Sequence, residues 1–210
     1  MKLWMFNKGR KIMKLDMVHD IQRVYRKVVD CMSKPGHINN ICEEASRIDL
    51  DIDFYNSTVV LMLMLLDPEV SFKIFSINED KITKLVNQLT YAKAETVENA
   101  NFIFVLRDTE EANIGKAFER GYEGSLIDPH SSATIIIESG SITKDKDLIL
   151  SGPGIKDKNY VTIDLPHNWI EKRSLKNTEY PLGVDTIIVD GDSNLLCLPR
   201  TTEILKQVVK

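Results

Sequence analysis

The sequence predicts an α/β fold with a mixed sheet, on three observations. Short apolar runs of strand type alternate with amphipathic stretches of helical period. The second half holds four short strand candidates, "DLILSG", "YVTIDL", "DTIIVD" and "NLLCLP". The last two flank Asp190-Gly191-Asp192-Ser193, a hairpin signal that makes one strand pair antiparallel.

The elements follow in order. Asp20 is placed to cap a helix over 21–33, where Ile21, Val24, Tyr25, Val28 and Met32 recur at helical spacing. Pro35 forces Lys34 out of the α region, and Gly36 permits a tight turn. "TVVLMLMLL" (58–66), with Asn56 or Ser57 as cap, is apolar on all sides and predicts a fully buried helix. "SFKIFS" predicts a strand. Asn78 then opens a helix whose stripe is Ile82, Leu85, Val86 and Leu89. "NFIFVL" is a buried strand, 110–120 a helix closed by Gly121, and "ATIIIES" a further strand. A helix is expected over 168–175, and "EILKQVVK" at the tail predicts a last helix.

The bulk numbers exclude several classes. With 210 residues and 43% hydrophobic content, the chain can bury a core without staples. We expect a loose basic arm over 1–15 and a single domain over 16–210. A net charge of -4 with mixed signs does not favour nucleic acid. The longest apolar run is far short of the ~20 residues of a membrane span. Cys31, Cys42 and Cys197 form no CxxC pair, which fits a reducing cytoplasm, and the four histidines are scattered, so no metal site is expected.

Four motifs could carry chemistry. "SGPGI" has Gly152 and Gly154 around a proline, so backbone N–H groups could approach a phosphate, but it lacks the P-loop lysine and falls between strands. A plain turn explains it as well. "MSKPG" offers Ser33 as a nucleophile with no base beside it, or simply a helix stop. In "YPLGVD", Asp185 could position a ligand hydroxyl or cap loop N–H groups. In "LPRTT", Pro199 ends sheet pairing, and Arg200 with Thr201 and Thr202 could grip a phosphate or carboxylate. The alternatives are an arginine that keeps an edge strand soluble and one that locks the tail by pairing with an internal carboxylate. No serine triad or paired-carboxylate signature is visible.

Taken together, "QRVYRKVVDCMSKPG", "LMLMLLDPEVSF", "ANFIFV", "PHSSATIIIE", "LSGPGI", "YPLGVDTIIV" and "LPRTT" resemble, in order and spacing, the phosphonate metabolism protein PhnH family of the bacterial carbon–phosphorus lyase system. The resemblance runs from Gln22 to Thr202. It matches Arg26 to a helix arginine, and Met32, Ser33, Pro35 and Gly36 to a helix-ending motif. Asp67 matches the aspartate after the apolar helix, Ala133 and Thr134 the start of the central strand, and Gly152, Gly154 and Ile155 a glycine turn. Pro181, Leu182, Gly183 and Asp185 match a late loop, and Pro199, Arg200, Thr201 and Thr202 the terminal motif. Tyr25 and Tyr180 stand where phenylalanine is usual. Ser132 stands where glycine is usual, which matters if the position needs a positive φ.

The resemblance implies a three-layer α/β/α fold similar to the large domain of type I pyridoxal-phosphate transferases, without the cofactor site. It implies a cytoplasmic homodimer that joins subunits G, I and J, and a part in ribose 1-phosphonate 5-triphosphate formation from MgATP and a phosphonate, with release of adenine. The chain would bind no cofactor itself, and MgATP would be the substrate of the complex. Arg200, Thr201 and Thr202 are then the first candidates for an anion contact, with Asp185, Arg26, Gly152 and Gly154 behind them and no catalytic residue assigned. The rival expectation is a purely structural subunit with no ligand site. A transferase acting alone is a third, and the isolated chain is expected to be inactive.

Overall fold

The computed structural model describes residues 14–166 and 168–207, together with the backbone of 6–7 and 10–11. A two-residue ladder, β1 (Phe6–Asn7) with β2 (Arg10–Lys11), precedes the domain. The rest of residues 1–13 lies outside the described residues. The packed part begins before residue 16: Lys14 donates its backbone N–H to the Arg47 carbonyl at 2.9 Å, and Leu15 is buried.

The chain continues as α1 (His19–Ser33), β3 (Ile38–Asn40), α2 (Cys42–Ala45), α3 (Asn56–Leu65), β4 (Ser71–Phe75), α4 (Glu79–Thr90) and β5 (Lys93–Ala94). Then come β6 (Phe102–Val105), α5 (Glu111–Arg120), a 3-10 turn at Pro129–Ser131, β7 (Thr134–Glu138), β8 (Ile142–Ser151) and β9 (Asn159–Ile163). The last elements are α6 (Trp169–Lys176), β10 (Asp185–Val189), β11 (Asn194–Leu198) and β12 (Glu203–Lys206).

Seven strands form one mixed sheet in the order β3-β11-β10-β7-β6-β4-β5. The run from β5 to β10 is parallel, and β11 and β3 are antiparallel additions. The hairpin expected at Asp190–Ser193 joins β10 to β11. Asp190 organises it, its Oδ1 accepting from the N–H groups of Asp192 and Asn194 at 3.0 and 2.9 Å.

Both faces of the sheet are covered, so its strands are apolar on consecutive residues. Phe104, Ile136, Ile187, Leu195 and Cys197 face a layer that includes α1, α3 and α4. Their neighbours Ile103, Ile135, Ile137, Ile188, Leu196 and Leu198 face α5, α6 and a second, three-stranded sheet β12-β8-β9. Helix α3 packs against α1, α2 and α4, which is why it needs no polar face.

Three local expectations need correction. The tail is a strand where it is described: β12 pairs antiparallel with β8, Ile204 opposite Leu150, because β8 would otherwise be an open edge. Residues 208–210 lie outside the described residues. Asp20 does not cap α1. Its carboxylate is buried and bound by Arg23 and Arg47, and Asp16 Oδ1 accepts instead from the N–H groups of Val18 and His19. Neither Asn56 nor Ser57 caps α3, whose N-cap position is Tyr55.

Candidate functional site

Strand β11 runs against its neighbours, so its end at Leu198 lies beside the beginnings of β7 and β10. Arg200 therefore sits at the amino edge of the parallel strands, opposite the edge where open α/β sheets usually bind ligands. Three loops converge there: the ones before β7, before β10 and after β11.

Arg200 holds them together. Its backbone N–H and its Nε donate to Asp185 Oδ1 at 2.7 and 3.5 Å, and one Nη2–H donates to Asp185 Oδ2 at 3.0 Å. The other Nη2–H donates to Ser132 Oγ at 2.6 Å. The Nη1 pair donates to the carbonyls of Pro129 and Pro181 at 3.0 and 3.1 Å. All five N–H groups of the guanidinium thus have acceptors within the chain. The side chain is only 17% exposed. Ser132 has φ -62° and ψ 150°, so this position needs no positive φ, and its hydroxyl adds a contact a glycine could not make. Tyr25 and Tyr180 are both exposed, so their hydroxyls reach water without disturbing the packing. Asn177 fastens the loop before β10, its side chain bonding both the N–H and the carbonyl of Val184.

Beside this node lies Arg173 of α6, which no motif marked. Its Nη1 donates to the Thr202 carbonyl at 2.9 Å, and its Nη2 to the carbonyls of Leu198 and Pro199 at 3.2 and 2.6 Å. Its Nε–H has no partner, and neither does the buried Thr202 hydroxyl. Burial pulls the Arg173 pKa down to about 10, against the attraction of Asp185, so the group stays charged at neutral pH. Arg173 and Thr202 line a cleft of about 310 Å³ between α6 and β12. The signal for Arg173 was present in the sequence: it falls one helical turn after the buried Trp169, on the apolar stripe where a cation is unusual.

The glycine turn is a wedge. Gly152 has φ +126°, and a Cβ there would come within 2.6 Å of the Thr201 carbonyl oxygen. Gly154 has φ +84°, and its Cβ would run into the Ser33 carbonyl. Asn159 Nδ2 donates to the Pro35 carbonyl at 2.6 Å. The β8–β9 turn therefore packs between the helix stop and the terminal motif. Arg26 is not brought to this cluster. It is exposed on α1, across the sheet from α6.

At the carboxyl edge a second crevice, about 610 Å³, is lined by Tyr55, Arg107, Glu138 and Asp164 among others. Glu138, at the end of β7, accepts from Tyr55 N at 2.9 Å, Thr58 Oγ1 at 2.5 Å and Arg107 N at 3.1 Å. Burial nonetheless pushes its pKa above the ordinary glutamate value. Arg107 lies over the Tyr55 ring, 5.4 Å from its centre. Sequence reading did not find this crevice, because Glu138 closes an apolar run like any strand end. Among the described residues no group of three or more His, Cys, Asp or Glu could hold a metal ion, and no described helix is long and apolar enough to cross a membrane.

Comparison with known proteins bears on the same residues. HtxG of Stutzerimonas stutzeri, provisionally described as a C-P lyase subunit protein, is 27% identical over 184 residues, covering 87% of this chain and 85% of its own. The alpha-D-ribose 1-methylphosphonate 5-triphosphate synthase subunit PhnH of Rhizobium meliloti is 25% identical over 194 residues, covering 91% of this chain and 94% of its own. A family profile matches residues 14–205, which takes in both arginines of the amino edge and nearly all of β12. The chain belongs to the bacterial phosphonate metabolism protein (PhnH) family.

Proposed function

We propose that this chain is an accessory subunit of a carbon–phosphorus lyase core complex. It supports the step in which MgATP and a phosphonate give ribose 1-phosphonate 5-triphosphate and adenine. In this reading it works in the cytoplasm as a homodimer joined to subunits G, I and J, and binds no cofactor of its own. In this reading its sheet and layers resemble the large domain of type I pyridoxal-phosphate transferases, without the cofactor site. The observation that carries the reading is the end-to-end kinship with a named synthase subunit.

Within that reading, Arg200 serves to build a surface. A guanidinium whose donors are all taken by Asp185, Ser132, Pro129 and Pro181 has none left for an incoming anion. This favours the purely structural version of the subunit as far as Arg200 and Asp185 are concerned.

The test is co-expression of the tagged chain with the remaining subunits. The chain should co-purify in an assembly that releases adenine from MgATP when methylphosphonate is present, and the isolated chain should release none. Recovery of the chain alone, or adenine release by the isolated chain, overturns the proposal.

A further inference from the structure

We propose that the cleft between α6 and β12 binds one small oxoanion, seated against Arg173 and the Thr202 hydroxyl. Three features support this, and none depends on which complex the chain joins.

The first is charge. Arg173 is 2% exposed, and its hydrogen bonds all go to neutral carbonyls. The nearby carboxylate, Asp185, is already engaged by Arg200. A cation this deeply buried is ordinarily compensated by an opposite charge. Water in the cleft could solvate it but not neutralise it.

The second is hydrogen bonding. The Nε–H of Arg173 and the Thr202 hydroxyl are both buried without a partner, and both residues line the same cleft. Buried donors without acceptors are uncommon in folded proteins, and two at one cavity point to a missing acceptor. Ser174 adds a hydroxyl to the lining. An anion rich in oxygen lone pairs satisfies all three groups, whereas a cation or a donor ligand satisfies none of the unpaired N–H.

The third is size and sign at the mouth. A cleft of about 310 Å³ holds a tetrahedral or planar oxoanion with a few waters. Arg200 and Glu203 also line it; Asp185 already meets the charge of Arg200, so the Glu203 carboxylate favours a singly charged ion over a doubly charged one.

The experiment follows the Arg173 Nε–H resonance of the ¹⁵N-labelled full chain. Sodium phosphate, methyl phosphate and sodium acetate are titrated in turn, with sodium chloride holding the ionic strength constant. The Arg173 resonance should shift saturably with at least one of them. A stronger response to methyl phosphate identifies an ester-borne group, and a stronger response to phosphate a free ion. Thr202→Val removes a hydroxyl that has no bond to lose, so it should fold as before and bind the same probe about five- to tenfold more weakly. Glu203→Gln should bind it more tightly. The proposal is overturned if no probe gives a saturable shift, if the shift falls on Arg107 instead, or if Thr202→Val binds as the parent does.

Discussion

Ser132 shows how much a single hydroxyl can add to a crowded joint. Its backbone is extended, so a glycine there would bring no conformational relief and would free the unfolded chain. Its Oγ accepts from the Arg200 guanidinium at 2.6 Å, a charge-assisted bond. Ser132→Gly should therefore lower stability by about 1–2 kcal/mol in urea unfolding. Arg200→Met should lower it by about 3 kcal/mol, because it leaves Asp185 partly buried beside an apolar side chain. Equal unfolding midpoints for Ser132→Gly and the parent would show that this hydroxyl adds nothing. The pair itself could not be read in the sequence. Asp185 and Arg200 are separated by a hairpin whose register decides whether they meet, and only the antiparallel ladder, Thr186 opposite Leu198, places them together.

At the scale of elements, the β8–β9 turn illustrates a motif correctly located and ambiguous in purpose. The two glycines were legible as a turn. That the turn is clasped between Ser33–Gly36 and Thr201–Thr202 was not, since neither neighbour lies close in sequence. Gly154→Ala would put a methyl group against the Ser33 carbonyl at a φ of +84°, and should destabilise by about 2 kcal/mol or more. Thermal unfolding of the purified variant measures this, and an unchanged midpoint would mean the turn can move aside. The long helices and the central strands were legible because each repeats its period several times. Strands β3 and β5 were not, being three and two residues long. The tail misled because Ile204, Leu205, Val208 and Val209 recur at helical spacing, while β8's need for a partner is a tertiary fact. Of the candidate residues, Arg200, Asp185, Thr202 and Gly152 do meet, whereas Arg26 stays on the far face.

For the molecule as a whole, Glu138 is a fastening between layers. It ends β7 and bonds the start of α3 on one side and the chain after β6 on the other. Unfolded, its carboxyl titrates near the ordinary 4.5, and folded it keeps its proton to higher pH because burial disfavours the charge. Above 4.5 the folded chain therefore binds more protons than the unfolded one, and this contribution to stability is lost as pH rises through the folded pKa. Glu138→Gln keeps an acceptor and removes the titration. The stability of the parent relative to this variant should fall as pH rises above 4.5, as followed by denaturant unfolding at several pH values. A constant difference would mean that Glu138 titrates normally.

The position of β11 between β3 and β10 has a consequence for biosynthesis. Strand β3 leaves the ribosome early, yet its hydrogen-bonding neighbour is among the last segments made. Cys31 of α1 likewise reaches its acceptor, the Leu195 carbonyl, across 164 residues. Contacts of such long range form late. Helix α1 and strand β3 therefore wait, the helix covered by α3 but not yet by β11, until translation is nearly complete. A nascent chain stalled before β11 should be a client for chaperones, and release of the final segment should be what turns it into a folded protein.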